Sequence, residues 1–180
     1  MLDQEGYVRL TDFALSKENM DVYTHTSTVC GAPNYFAPEM IQYSSYTRAV
    51  DWWALGVVVH LMLFGKYPFT GDHCEELYLT IVRHEIVYRN IRSYASVIFI
   101  SRLLQRQPHE RLGYGENDAE DVKADYFFED FNFEALLAKK IVPPFVPKLK
   151  NAEDMSYLDQ HCAQQSSILT KQDEQNFCRF

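Results

Sequence analysis

The sequence predicts a mainly α fold, on three observations. Residues 47–65 are apolar on nearly every helical face, the signature of a helix at the centre of a fold. Two later segments, from 72 and from 93, repeat apolar residues at helical spacing. Period-two alternation is confined to one short stretch near the start, where Tyr7, Arg9 and Thr11 alternate with Val8 and Leu10. With 47% hydrophobic and 14% aromatic residues in 180, the chain can build a core and is too apolar to be disordered throughout.

The elements follow in order. Residues 6–16 open with the alternating stretch from Tyr7 to Thr11, which suits a strand after the Gly6 turn and a short N-terminal strand pair. Residues 17–47 are polar and broken by Gly31-Ala32-Pro33 and Ala37-Pro38-Glu39, so they read as a long loop of the functional or mobile kind. The central helix runs from Thr47, an expected N-cap, to Gly65, an expected C′ residue. Trp52 and Trp53 lie in its apolar run and read as core, while Asp51 is the odd residue there, because a buried carboxylate needs donors. After Tyr67-Pro68-Phe69, Asp72 and Glu75 resemble a capping box that opens a helix carrying Leu77, Ile81 and Val82. A further helix from about Ser93 holds Val97, Ile100, Leu103 and Leu104, with Pro108 as its stop. Residues 118–128 read as one more short helix. From Pro143-Pro144-Phe145-Val146-Pro147 the chain loses periodicity and reads as an extended tail.

Composition narrows the function classes. A net charge of −8 argues against nucleic acid as the main partner. The longest apolar run, residues 54–64, is broken by His60 and too short for a transmembrane segment. The first residues lack the basic-then-apolar pattern of a secretory signal, so a soluble cytoplasmic protein is expected. Cys30, Cys74, Cys162 and Cys178 form no CxxC pair, which suits reduced thiols and makes no metal site.

Several signatures then fall into one order. Asp12-Phe13-Ala14 follows the predicted strand; Cys30-Gly31-Ala32-Pro33-Asn34-Tyr35 and Ala37-Pro38-Glu39 come next. Asp51-Trp52-Trp53-Ala54-Leu55-Gly56, Pro68-Phe69-Thr70-Gly71-Asp72 and His109-Glu110-Arg111-Leu112-Gly113 complete the series. Together these resemble the rear half of a eukaryotic protein kinase domain, from the magnesium motif onward. Asp-Trp-Trp and the Pro-Pro-Phe-Val-Pro tail resemble the AGC group of Ser/Thr kinases. Within it, Ser45-Tyr46-Thr47-Arg48-Ala49-Val50-Asp51, Asp118-Ala119-Glu120-Asp121-Val122-Lys123 and Glu134-Ala135-Leu136-Leu137 resemble the protein kinase N family. The resemblance implies a partial kinase-like large (C-terminal) lobe over residues 1–128 and an AGC-type extended C-terminal tail over 129–180.

By resemblance Asp12 is a ligand for magnesium and so for bound ATP. Phosphoryl transfer also needs a nucleotide cradle and a base that orients the hydroxyl. Within the 180 residues there is no glycine-rich loop, no Val-Ala-x-Lys lysine and no His-Arg-Asp loop. Ala14 replaces a glycine, Ala32 a threonine, Asn34 a glutamate, and Leu61 the glutamate that basophilic relatives use for substrate arginine. The expectation is a kinase-like chain with no catalytic residue of its own, inactive as it stands. Magnesium and ATP belong to the family, and no cofactor is expected for these residues alone. Met1-Leu2-Asp3 falls where an uninterrupted kinase would continue upstream, so a longer reading frame is one expectation.

The same resemblance makes Thr28 the activation-loop phosphosite, without the catalytic-loop arginine that normally pairs with it. Glu39 and Arg111 match a buried ion pair tying the activation segment to the helical body. Asp51 matches a helix aspartate that accepts backbone N–H groups from the catalytic loop. Phe177 and Phe180 fit the Phe-x-x-Phe hydrophobic motif, which implies docking on an upstream phosphoinositide-dependent kinase, and Thr170 resembles the turn-motif phosphosite. Three functions are therefore in play: an active kinase, a non-catalytic binding module or decoy, and a truncated product without stable function. Apolar surface on residues 57–64 is expected to drive self-association.

Overall fold

The computed structural model describes residues 1–151, 154, 156 and 157, except 44, 90 and 92. Two compact units appear, one of residues Asp12–Leu137 and one that joins Met1–Thr11 to the chain from Ala138 onward. Among the described residues the larger unit holds α1 (Pro38–Gln42), α2 (Ala49–Phe64), α3 (Cys74–Arg83), α4 (Tyr94–Leu103), α5 (Ala119–Lys123) and α6 (Phe133–Leu137). One 3₁₀ turn precedes α1, at Pro33–Tyr35, and two lie between later helices, at Pro108–Glu110 and Tyr126–Phe128. The fold is mainly helical, consistent with part of a kinase large lobe.

α2 carries the core because its sequence has an uninterrupted apolar stripe. Ala49, Trp53, Gly56, Val57 and His60 are buried along one face. Trp53 stacks on Phe69 with ring centroids 5.7 Å apart, and Ala37, Leu77, Ile81, Ile100 and Leu104 close around the pair. A second cluster of Phe99, Leu103, Leu112 and Val122 continues the core behind α4, where Phe127 stacks on Phe99 at 4.8 Å. Each such fully buried side chain contributes roughly 1.5–3 kcal/mol relative to exposure. The strip of α2 away from both clusters is not covered: Met62 is 77% exposed, and Val58 and Leu61 are only half-buried. A helix expected at the centre of the fold thus keeps one strip that the described residues leave open.

Ends and caps differ from the sequence reading in instructive ways. Arg48, not Thr47, stands at the N-cap position of α2, and the Thr47 hydroxyl accepts instead from Ala49 N at 3.4 Å. Gly65 ends the helix in the left-handed region at φ 69°. Before α3 it is Glu76, one residue beyond the expected Glu75, whose carboxylate accepts from Asp72 N at 2.8 Å. Ser93 caps α4 through Ser96 N. That helix stops at Leu103, before Pro108, because Leu112 N and the Arg111 side chain take the Arg102 and Gln105 carbonyls. The helix expected over 118–128 divides at Asp125, whose carboxylate pairs with Arg102 and caps Phe127 N.

In the smaller unit the expected strand pair is reduced to one antiparallel bridge between Leu2 and Val8. Val8 and Leu10 are 76% and 83% exposed, so the alternation has no buried face to extend it.

Candidate functional site

The segment that the resemblance makes the activation segment lies in the larger unit, where residues 14–32 meet α1 and the start of α2 around an open cavity of ≈ 610 Å³. Its fixed end is built on Pro38, which starts α1 with its preset backbone angle and places Glu39 in the first turn. Glu39 and Arg111 are each 2% exposed. Arg111 donates from Nη1 to Glu39 Oε1 at 2.7 Å and from Nη2 to Oε2 at 2.9 Å. Nη1 also reaches Ala49 O at 2.8 Å, and Nε reaches Gln105 O at 3.0 Å. The guanidinium lies 5.3 Å from the Trp53 ring. A desolvated pair with both carboxylate oxygens and these guanidinium donors engaged is the arrangement in which buried charges are tolerated.

The next stretch is held by Tyr46, which sequence reasoning did not single out. Thr26 and Tyr46 exchange two backbone hydrogen bonds of 2.9 Å, and the Tyr46 hydroxyl donates to the carbonyl of Thr28. Burial first, then the nearby Cys30 and Asp51, push the Tyr46 phenol up, so it stays a donor at neutral pH. Thr28 itself is exposed on the rim of the cavity. Lys17, on the same rim, donates to Thr26 Oγ1 at 2.7 Å and is a basic group in that neighbourhood.

Asp51 lies at the inner edge of the cavity, in the first turn of α2. Its outer surface is open, yet the carboxyl is crowded enough that desolvation, and then the Asp118 charge, raise its pKa. No described residue donates to it. Asp118 has its own partners: Arg48 Nη1 at 3.0 Å and Trp52 Nε1 at 2.9 Å. Gly113 completes this corner at φ 86°; a Cβ there would lie 2.6 Å from Trp52 Nε1.

The two substitutions that erase charge are visible as surfaces. Asn34 stands in the Pro33–Tyr35 turn and Leu61 on α2, both half-buried. Tyr35 Oη instead lies 3.3 Å from Tyr67 Oη, with the rings edge to face at 5.8 Å. The Tyr67 hydrogen bond first, then burial, raise the Tyr35 phenol.

Asp12 is exposed, does not line the cavity, and is held at φ 62°. Among the described residues no three His, Cys, Asp or Glu side chains come together as a metal-binding group. One solvated carboxylate does not fit a magnesium–nucleotide site, which needs several oxygen ligands. Thr170, Phe177 and Phe180 lie outside the described residues.

Among the described residues no helix is long and apolar enough to cross a membrane. The protein kinase domain family model matches residues 1–128. The chain is 49% identical over 170 residues to serine/threonine-protein kinase N2 of Danio rerio, covering 94% of the chain and 17% of that protein. It is 43% identical over 159 residues to serine/threonine-protein kinase N3 of Mus musculus, covering 88% and 18%. RAC-beta serine/threonine-protein kinase A of Xenopus laevis is 39% identical over 173 residues, covering 96% and 36%. The chain thus spans under a fifth of the length of the two N-type kinases. With the anchored segment and the motif order in place, the chain belongs to the protein kinase family, on its AGC serine/threonine branch and of the protein kinase N type.

Proposed function

We propose that these 180 residues, as a chain on their own, are a pseudokinase-like fragment that does not transfer phosphate. The observation that carries this reading is the contrast between the intact Glu39–Arg111 anchor and the solitary, exposed Asp12. Ala14 and Ala32 add to it from inside the motifs, since neither methyl can replace the glycine conformation or the threonine hydroxyl that the family has there. Family chemistry with MgATP is phosphoryl transfer to protein Ser or Thr; no step of it is assigned to the residues present. The decisive measurement is a thermal-shift titration of the chain with MgATP. Binding at a hundred times Kd stabilises a fold by about 2.7 kcal/mol, so the expected flat Tm up to millimolar nucleotide is easily told from a robust rise, which would overturn the reading.

A second reading, a cytoplasmic binding module, is favoured by the uncovered strip of α2, where Met62 is exposed beside half-buried Val58 and Leu61. An apolar helix face of this kind favours self-association. Sedimentation velocity should give a concentration-dependent dimer or larger species, and a monomer at all concentrations would reject it. For the tail, docking through Phe177 and Phe180 on an upstream phosphoinositide-dependent kinase would be lost when both become Ala; unchanged recovery of that kinase would reject it.

A further inference from the structure

The smaller unit has a contact that the kinase reading does not use. The N-terminal hairpin is closed by its own bonds: Asp3 N to Tyr7 O at 2.8 Å, Gly6 N to Asp3 O at 2.9 Å and Arg9 N to Met1 O at 2.8 Å. Asp3 also accepts from Tyr7 N at 2.9 Å and pairs with Arg9 at 3.1 Å. The hairpin therefore sets the position of Tyr7 without help from the tail. From there the Tyr7 hydroxyl lies 2.9 Å from Lys139 O and 2.9 Å from Ile141 O, more than a hundred residues away in sequence. A phenol has one proton to donate, so the two carbonyls share it.

Three neighbouring features close the same contact from other sides. The Lys139 ammonium lies 5.2 Å from the Tyr7 ring centre and pairs with Glu5. Lys139 is held at φ 54°, a conformation that a residue with a Cβ keeps only where its surroundings over-determine it. Gly6, buried at φ 89°, passes so close to the tail that a Cβ would lie 2.3 Å from Phe145 O and 3.0 Å from Pro143 Cβ. Further along, Phe145 packs edge to face on Tyr157 at 5.9 Å, and Tyr157 Oη accepts from Lys148 N at 3.2 Å.

We propose that Tyr7 is a latch that straps residues 139–145 onto the N-terminal hairpin, so that the tail departs from a fixed anchor. Tyr7 is a positioning residue in this scheme: the ring and the Lys139 cation orient the strap, and the hydroxyl locks its backbone. The strap's two lysyl bonds, after Lys139 and Lys140, make its closure directly readable.

The test is limited trypsin digestion of the full chain, comparing cleavage after Lys139 and Lys140 with cleavage after Lys123 in the larger unit. Tyr7→Phe keeps the ring and removes the proton donor. The expected result is cleavage at 139 and 140 quickened about fivefold, as for the loss of one hydrogen bond of about 1 kcal/mol, with the rate at 123 unchanged. Gly6→Ala, which leaves the hydroxyl but drives a methyl group into Phe145 O, should give the same selective opening. Unchanged cleavage at 139 and 140 in Tyr7→Phe overturns the proposal. Equal acceleration at Lys123 in both variants also overturns it, since that reports general loosening.

Discussion

Glu39 and Asp51 are carboxylates at neighbouring helix starts, and the structure treats them oppositely. Glu39 is sealed from water and has the Arg111 fork on both oxygens. Asp51 edges a cavity, has no described donor, and has its pKa raised first by desolvation and then by the like charge of Asp118. The difference teaches where this large-lobe segment is complete in itself. Every donor that Glu39 needs comes from within residues 39–111, so that end of the activation segment is self-sufficient. The cavity end is not satisfied by the described residues, and Asp12 lies exposed beyond it.

The comparison breaks most visibly if Glu39 is removed. Glu39→Ala leaves the Arg111 cation buried without its counter-charge and should cost roughly 3–5 kcal/mol; thermal unfolding followed by circular dichroism measures it. A loss under about 1 kcal/mol would mean that the anchor is not desolvated in solution. Gly113→Ala comes next. It combines a positive φ with a clash on Trp52 that breaks the indole's bond to Asp118, and should destabilise by about 1–3 kcal/mol. Tyr46→Phe removes one hydrogen bond to the Thr28 carbonyl and should cost about 0.5–1.5 kcal/mol. Faster amide exchange confined to residues near Thr28 would locate the effect.

The smallest change sharpens the other side of the comparison. Because Asp51's folded pKa is raised above the ordinary 3.8, the fold disfavours its charge, and neutral Asn should be better accommodated. Asp51→Asn should therefore raise Tm slightly at pH 7. That advantage shrinks as the pH falls through the raised pKa and disappears below 3.8, where Asp51 is protonated in both states. A lower Tm at pH 7 would show that Asp51 has a donor after all.

Much of the architecture was legible because it is local. α2 announces itself by an apolar run ending at Gly65, and α4 by Ser93 followed by spaced aliphatics. Motif order made Glu39 and Arg111 candidates for one contact, although their sequence separation gives periodicity nothing to work on. What stayed hidden depends on tertiary hydrogen bonds. Tyr46 reads as an ordinary loop aromatic until its hydroxyl meets the Thr28 carbonyl. The corner of Arg48, Trp52 and Asp118 joins residues far apart in sequence, and no spacing rule reaches across them. α4 ends early because later residues take the Arg102 carbonyl in its last turn and the Gln105 carbonyl just past it, a competition invisible to helix propensity. The open strip of α2 was expected through the resemblance, as apolar surface on residues 57–64, and not through composition, which measures how apolar a face is and not what covers it.

The Arg111 junction has a kinetic consequence. Its acceptors lie on residues 39, 49 and 105, so the set is finished only after α1, α2 and the end of α4 have converged. Contacts of such sequence separation are reached only after the entropy of closing long loops has been met. If that network forms after the transition state, its strength governs how slowly the assembled lobe comes apart more than how quickly it assembles. Weakening it would then shorten the lifetime of the folded lobe while leaving its refolding rate nearly untouched.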